Sequence, residues 1–529
     1  MQAFLASALE RIFPATPLRA PAPLRLLAAR GERVAFQACF RNEAPQALEV
    51  TAAVAGAAGE FGPRIRAVGL VCLPHFNPDT PFDELDGMPG LVPDPLLPQA
   101  NLLAGPFETR SFWIDLRVPR DARPGDCRLE VLLAAGADSA RLEVVLTVAG
   151  AELPPLADFP VTHWFYADAL CDRYGLAPYE EKFWPVCAAY QRDLAEHGTN
   201  TLYTPLFTPP LDGVKRPHQL LRVRTPQPGS YEFDWTDVRR WLAVGRAAGF
   251  RRFEWSHLAT QWGAAHAIRI YRDNADPQSL LWAPDTPACG EVYRGFLGQF
   301  LPAFQAFLAD EGLLDHSVFH LSDEPHGDLP LANYRQFRGL LRELAPWMPV
   351  TDALSDVRFA LEKLTDMPAA SIGEAATFQA HQVPHWVYFC CGPRGRFLNR
   401  LLDTPLAKIR MSGWLFHRLG ARGFLHWGFN YWYRSMNQGL LDPWQESAGG
   451  NWPLWPYGDP FMVYPGADGQ PVDSLRWEVF AHSLQDLALL RSHGMAPGDP
   501  LLAEIQGYDT FPKTAAWIDQ ARTRLLAGR

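Results

Sequence analysis

Paired carboxylates are the first chemistry this chain offers. Four adjacent acid pairs occur along its 529 residues: Asp83-Glu84, Glu180-Glu181, Asp310-Glu311 and Asp323-Glu324. The first lies in a Pro-rich stretch, and the next two fall in or beside helical patterns, where solvated charge is the expected role. Asp323-Glu324 differs, because it directly follows the apolar run VFHLS and is stopped by Pro325. Two carboxylates forced together repel, which raises the proton affinity of at least one of them. A general acid is kept protonated near neutral pH in this way. A helix N-cap or a salt-bridged loop acid is an equal alternative reading of the same position.

Further polar and aromatic side chains follow other apolar runs: His163 and Trp164; Glu254, His257, Gln261 and Trp262; Asp352; Glu374; Trp386 and Tyr388; Trp427, Asn430 and Tyr431. Taken singly, each reads as core or support. Together they describe a mouth lined by indoles, phenols, carboxylates and amides. Aromatic faces pack on the C–H faces of a pyranose while carboxylates and amides bond its hydroxyls, so this set suits a carbohydrate better than a phosphate. G-x-x-x-x-G-K-S/T, G-x-G-x-x-G and G-x-S-x-G are all absent from the sequence. No metal or other cofactor is expected, since His163 lacks a second histidine two residues on and the other histidines show no paired ligand spacing. Eight cysteines lie scattered without C-x-x-C spacing and read as free thiols; the adjacent Cys390 and Cys391 would make a strained disulfide and receive no redox role.

The elements that must position these residues fall into two rhythms. From about residue 30 to 150, short strands alternate with turns: RVAFQACF, RIRAVGLVCL, SFWIDLRVP and the paired strands of CRLEVLLAAGADSARLEVVLTVAG. An antiparallel β-sandwich is predicted there, with residues 74–107 as a long Pro-rich loop placed to pack over a neighbouring domain. After the linker AELPPLADFP come eight short apolar strands separated by amphipathic helices: 161–166, 199–205, 251–256, 317–322, 348–353, 368–373, 385–390 and 422–428. The expected architecture is all-β plus α/β: a β-sandwich over 1–155, a (β/α)8 TIM-like barrel over 156–495, and a C-terminal helical tail over 496–529 packing on one of them. The sandwich is expected to brace the barrel. In such a barrel reacting groups gather at the C-terminal ends of the strands, where Asp323-Glu324 falls.

Composition sets outer limits. The chain is 48% hydrophobic and 20% charged, ordinary globular proportions. A net charge of −10 argues against a general nucleic-acid or anionic-membrane partner. Apolar runs break before the roughly 20 residues of a membrane helix, and MQAFLASALERIF carries Glu10 and Arg11 with no early base, unlike a secretion signal. A cytoplasmic location is expected, and association into a homo-oligomer stays open.

The ordered segments THWFYAD, NTLYTPLFTPPLD, HLATQWGAAHA, VFHLSDEP, VYFCCGP and RLLDTPLAKIRMSGWLFHRLGARGFLHWGFNYW, over roughly residues 156–495, resemble the catalytic domain of glycoside hydrolase family 123 and its broad relatives. The resemblance implies retaining, exo-acting hydrolysis of a β-linked N-acetylgalactosamine, assisted by the substrate's own 2-acetamido group. Carried onto this chain, Glu324 would protonate the leaving oxygen and then activate water, while Asp323 would hold the acetamido N–H and steady the oxazolinium. With the nucleophile inside the substrate, the flanking-carboxylate spacings of other glycosidases need not apply. The expected partner is a small glycoside or oligosaccharide. Two alternatives stand beside this reading: a glycosidase on a non-acetamido sugar using another mouth carboxylate such as Glu254, Asp352 or Glu374, and a non-catalytic carbohydrate-binding protein.

Overall fold

The structure, a computed structural model, describes residues 2–84, 89–209, 217–436 and 439–527. Its first 152 residues carry ten strands: β1 (Gln2–Ser7), β2 (Leu24–Arg30), β3 (Arg33–Arg41), β4 (Leu48–Gly56), β5 (Arg64–Leu73), β6 (Gly90–Leu97), β7 (Asn101–Ala104), β8 (Thr109–Arg117), β9 (Gly125–Ala135) and β10 (Asp138–Glu152). They form two five-stranded sheets, ordered β1-β3-β8-β5-β6 and β2-β10-β9-β4-β7. Period-two alternation drives their packing: Leu129, Val131 and Leu133 of β9 share one core with Phe36, Phe40, Phe112 and Ile114 of the other sheet. Trp113, on the opposite face of β8, joins a second core that belongs to the α/β region.

The Pro-rich stretch departs from expectation. Residues 74–107 are not all loop, because β6 and β7 lie within them. β6 is an end strand of its sheet, and Pro93 and Pro95 sit within it, as prolines at a sheet edge can. The stretch also reaches the α/β region: Leu96 N–H donates to the Asp473 carbonyl at 2.8 Å, and Asn77 Nδ2 donates to Asp403 at 2.7 Å. The N-terminal strands β1 and β2 were outside the predicted pattern.

The second region holds a row of eight parallel strands. β11 (Val161–His163), β12 (Thr201–Thr204), β15 (Arg252–Trp255), β16 (Ser317–Phe319), β18 (Ala369–Ser371), β19 (Trp386–Tyr388) and β20 (Phe424–His426) fall inside their predicted runs, each shorter than its run; β17 (Ala353–Leu354) overlaps the predicted 348–353 only at Ala353, and β13 (Arg222–Arg224) and β14 (Glu232–Asp234) form a separate hairpin. The order is β16-β15-β12-β11-β20-β19-β18-β17, and a parallel bridge between Phe319 and Val350 joins β16 to the residues just before β17. Nearly every residue of these strands is buried, which is why they read as unbroken apolar runs.

Helices α1 (Ala167–Tyr174), α2 (Phe183–Glu196), α3 (Thr236–Ala248), α4 (Glu291–Asp310), α5 (Asp328–Leu344), α6 (Arg358–Leu361), α7 (Ala375–Ala380), α8 (Leu406–Arg410) and α9 (Ser412–Arg418) intervene between them. α10 (Leu475–Ser492) follows, capped by Ser474 Oγ, which accepts from Trp477 N–H. It is buried on nearly all sides, between the β layers and the parallel sheet, and its charges meet partners on both sides of it. Glu478 faces Arg33 at 2.8 Å and Arg66 at 2.5 Å, Arg476 faces Asp94 at 3.0 Å, and Asp486 faces Arg410 at 2.6 Å. α11 (Ala515–Leu526) lies against β2, β10 and α10, with Arg522 on Glu32 at 2.7 Å. Among the described residues no helix is long and apolar enough to cross a membrane.

Candidate active site

β16 ends at Phe319, and the next four residues turn across the C-terminal ends of the parallel strands. Neighbouring side chains on a strand would point to opposite faces; here the strand has already ended, and Glu324 takes a left-handed backbone (φ 43). That conformation costs a non-glycine residue about 1–2 kcal/mol, and such strain collects at functional sites. The turn is fixed by the segment that follows β15. Ala259 N–H donates to the Leu321 carbonyl (2.8 Å), Trp262 N–H to the Asp323 carbonyl (2.7 Å), and Ser322 Oγ–H to the Thr260 carbonyl (2.7 Å).

The result is a cavity of about 170 Å³ lined by Asp323, Glu324, Trp164, Trp262, Tyr388, Trp427, Trp455, Ala353, Leu425, Cys390 and Cys391. Tyr388 Oη–H donates to Glu324 Oε1 at 2.5 Å. Burial, and next the Glu324 carboxylate, push the Tyr388 phenol well above its usual range, so it stays a donor. Trp262 is half exposed at the rim and is itself left-handed (φ 63). Trp427 donates its indole N–H to Asp459 at 2.9 Å and packs edge-on against Trp455 and Tyr431. Contact with Cys391 and burial hold the Cys390 thiol well above its ordinary range, so that thiol stays neutral.

The predicted residues divide by place. Asp323, Glu324, Trp164, Trp262, Tyr388 and Trp427 line the cavity together, and Tyr431 backs it through Trp427 and Trp455. Glu254, His257 and Asp352 are fully buried around His320. Gln261, half-buried, precedes the rim tryptophan. Four others lie elsewhere. His163 is fully buried, between Thr199 Oγ1 (2.9 Å) and Arg400 Nη1 (2.8 Å), and burial with Arg400 depresses its pKa far below the usual value. Asn430 spends its amide on the backbone of Tyr166, accepting at 2.9 Å and donating at 3.0 Å. Trp386 packs over Gly423, where an added Cβ would meet its indole at 2.6 Å, and Glu374 is exposed at the start of α7. Sequence reasoning passed over Trp455 and His320; the WPLWP segment is the signal that could have flagged the first.

Among the described residues, two buried groups bring three possible ligand atoms within 4.8 Å of one another, His257/His320/Asp352 and Asp193/His197/Asp473. In each, a histidine stands between carboxylates: His320 between Glu254 (2.6 Å) and Asp352 (3.1 Å), His197 between Asp193 (3.2 Å) and Glu478 (3.4 Å). Against the opposing pull of burial, these acids raise both histidines to about 10. On these distances the two histidines read as members of hydrogen-bonded ion pairs.

A sugar-sized cavity with two acids and four indoles at the ends of parallel strands defines the class, a carbohydrate-processing site. Residues 164–493 match the family profile described as glycoside hydrolase 123, catalytic domain. The chain belongs to that family and is a glycoside hydrolase. Among solved structures, the chain is similar to the family 123 glycoside hydrolase from Clostridium perfringens studied for glycolipid glycan hydrolysis. The TM-score is 0.74 at 13% identity, covering 99% of this chain and 96% of that one; the likeness is one of fold. A bacterial Ig-like domain containing GH10 xylanase from termite gut matches at TM-score 0.35 and 10% identity, covering 88% and 100%. No curated protein sequence matches the chain.

Proposed function

We propose that this protein is a retaining, exo-acting β-N-acetylhexosaminidase, with N-acetylgalactosamine the favoured sugar, working by substrate assistance. Glu324 would donate a proton to the leaving oxygen while the acetamido oxygen attacks the anomeric carbon. Asp323 would hold the acetamido N–H and face the positive oxazolinium, and the Glu324 carboxylate would then take a proton from the attacking water. The observation that carries this reading is the left-handed turn that brings Asp323 and Glu324 into one indole-walled cavity, with the Tyr388 hydroxyl on Glu324. At about 170 Å³ the cavity falls below the roughly 300–1,000 Å³ of drug-sized sites, which favours one sugar ring over a threaded chain.

The alternatives weaken on geometry. Glu254 and Asp352 are engaged with His320, and Glu374 is exposed at the head of α7, which favours Asp323 and Glu324 over another carboxylate pair. The parallel row, joined at its ends by the Phe319–Val350 bridge, supports reading the region as a (β/α)8 barrel braced by a β-sandwich. The deciding experiment is a panel of aryl β-glycosides with and without the 2-acetamido group. Turnover should require that group and be blocked by a thiazoline mimic of the oxazolinium; equal rates on plain galactosides would overturn substrate assistance.

A further inference from the structure

Beneath the cavity lies a polar unit that the proposed chemistry does not touch. His320 is fully buried, with Nε2 at 2.6 Å from Glu254 Oε1 and Nδ1 at 3.1 Å from Asp352 Oδ1. Both acids receive donors throughout. Glu254 accepts the Trp164 indole N–H at 2.8 Å and the Thr162 hydroxyl. Asp352 accepts the Tyr334 hydroxyl at 2.6 Å and the backbone N–H groups of Leu321 (3.0 Å) and Ser322 (3.3 Å). Each ring nitrogen of His320 thus meets a carboxyl group that is otherwise supplied with donors.

Burying such a set is a poor way to gain stability, since well-packed apolar residues of similar volume serve as well or better. Its connections suggest another use. Through Glu254 the unit holds Trp164, a wall of the cavity, and through Asp352 it holds the two residues before Asp323. After β16 ends, the Asp352 carboxylate takes the N–H groups of Leu321 and Ser322. An imidazolium suits this position, because it offers one N–H donor to each acid across a rigid ring.

We infer that His320, with Glu254 and Asp352, is a positioning unit that fixes the Trp164 wall and the Asp323-Glu324 turn relative to each other, so that sugar and proton donor stay aligned. The inference rests on the glycosidase reading above. A misplacement of about 1 Å at a reacting centre costs on the order of 100-fold in rate, and the loss should concentrate where proton donation matters. The test uses the full chain and two aryl 2-acetamido-β-glycosides, one with a dinitrophenyl leaving group that needs little protonation and one with an unactivated phenyl. For His320→Gln and Asp352→Asn, kcat on the phenyl glycoside should fall on the order of 100-fold, kcat on the dinitrophenyl glycoside should fall far less, and KM for both should rise as Trp164 loosens. Equal losses on both substrates at unchanged KM would overturn the inference, as would no loss. If His320→Gln does not fold, Asp352→Asn and Glu254→Gln carry the same comparison. A wild type that turns over neither substrate would strike the glycosidase reading itself and this inference with it.

Discussion

Glu478 and Glu324 each have another acid close by, Asp473 and Asp323, and their settings lead to opposite uses. Glu478, on α10, faces Arg33, Arg66 and Arg64 at 2.5–3.0 Å and His197 at 3.4 Å. Although burial works against ionisation, these cations hold its carboxyl well below the ordinary range. It is a fixed anion in a seam of fixed charges. Glu324 sits half-buried at a cavity wall, on a strained turn, and receives a phenol hydroxyl. A neutral donor suits a carboxyl that must change its protonation state in each cycle. The structural acid here is locked among cations inside the fold, whereas the candidate catalytic one stands on a strained turn at a cavity wall.

Mutating the two positions is the sharpest way to break that contrast. Glu324→Gln should lower kcat on a poorly activated glycoside by roughly 10² to 10⁴, the usual contribution of general acid catalysis, with the melting temperature nearly unchanged. Near-normal turnover would remove Glu324 from its role. Glu478→Ala should do the reverse, because stripping one partner from a buried ion pair costs about 3–5 kcal/mol. Denaturant unfolding should show that loss, while activity per folded molecule persists.

Alkaline titration probes two buried histidines, His197 at the seam and His320 beneath the cavity. His197 and His320 are both raised to about 10 when folded, from an ordinary 6.5. Between those values the folded state holds protons that the unfolded chain has released. Each histidine's contribution is therefore complete below pH 6.5 and is lost as pH rises toward 10, at up to about 1.4 kcal/mol per pH unit. Stability measured from pH 7 to 10 should fall, and His197→Gln should flatten the slope; a slope unaffected by that substitution would contradict the assignment. The smallest expected effect belongs to Tyr388→Phe. Losing its hydrogen bond to Glu324, a contact worth about 1.5–3 kcal/mol when an ionised group is involved, should slow turnover by about 10-fold or more without altering stability at the seam.

Much of this was visible in the residue order, for physical reasons. A strand in a parallel sheet is covered on both faces, so each of the eight reads as an apolar run bounded by polar residues, and the acid pair stood out because it ended one of them. β6 was hidden because Pro93 and Pro95 suppress the strand pattern in a place where only an edge position tolerates them. Side-chain direction was the other gap. Residue type marks Asn430 and His163 as polar groups near strand ends, yet nothing in a linear pattern reveals that one is spent on the backbone of Tyr166 and the other on Arg400. His320 escaped for the converse reason: a lone histidine in an apolar run looks like ordinary core, and its importance depends on two acids that are 66 and 32 residues away along the chain.

The placement of α10 has a practical corollary. Because this helix presents Arg476, Glu478 and Asp486 to partners drawn from both halves of the polypeptide, cutting away the leading β layers would strand several ionised groups without counterions. A minimal enzyme trimmed to the family-matching segment should therefore come out of expression insoluble, and any shortened version would need those inward charges redesigned together with the cut.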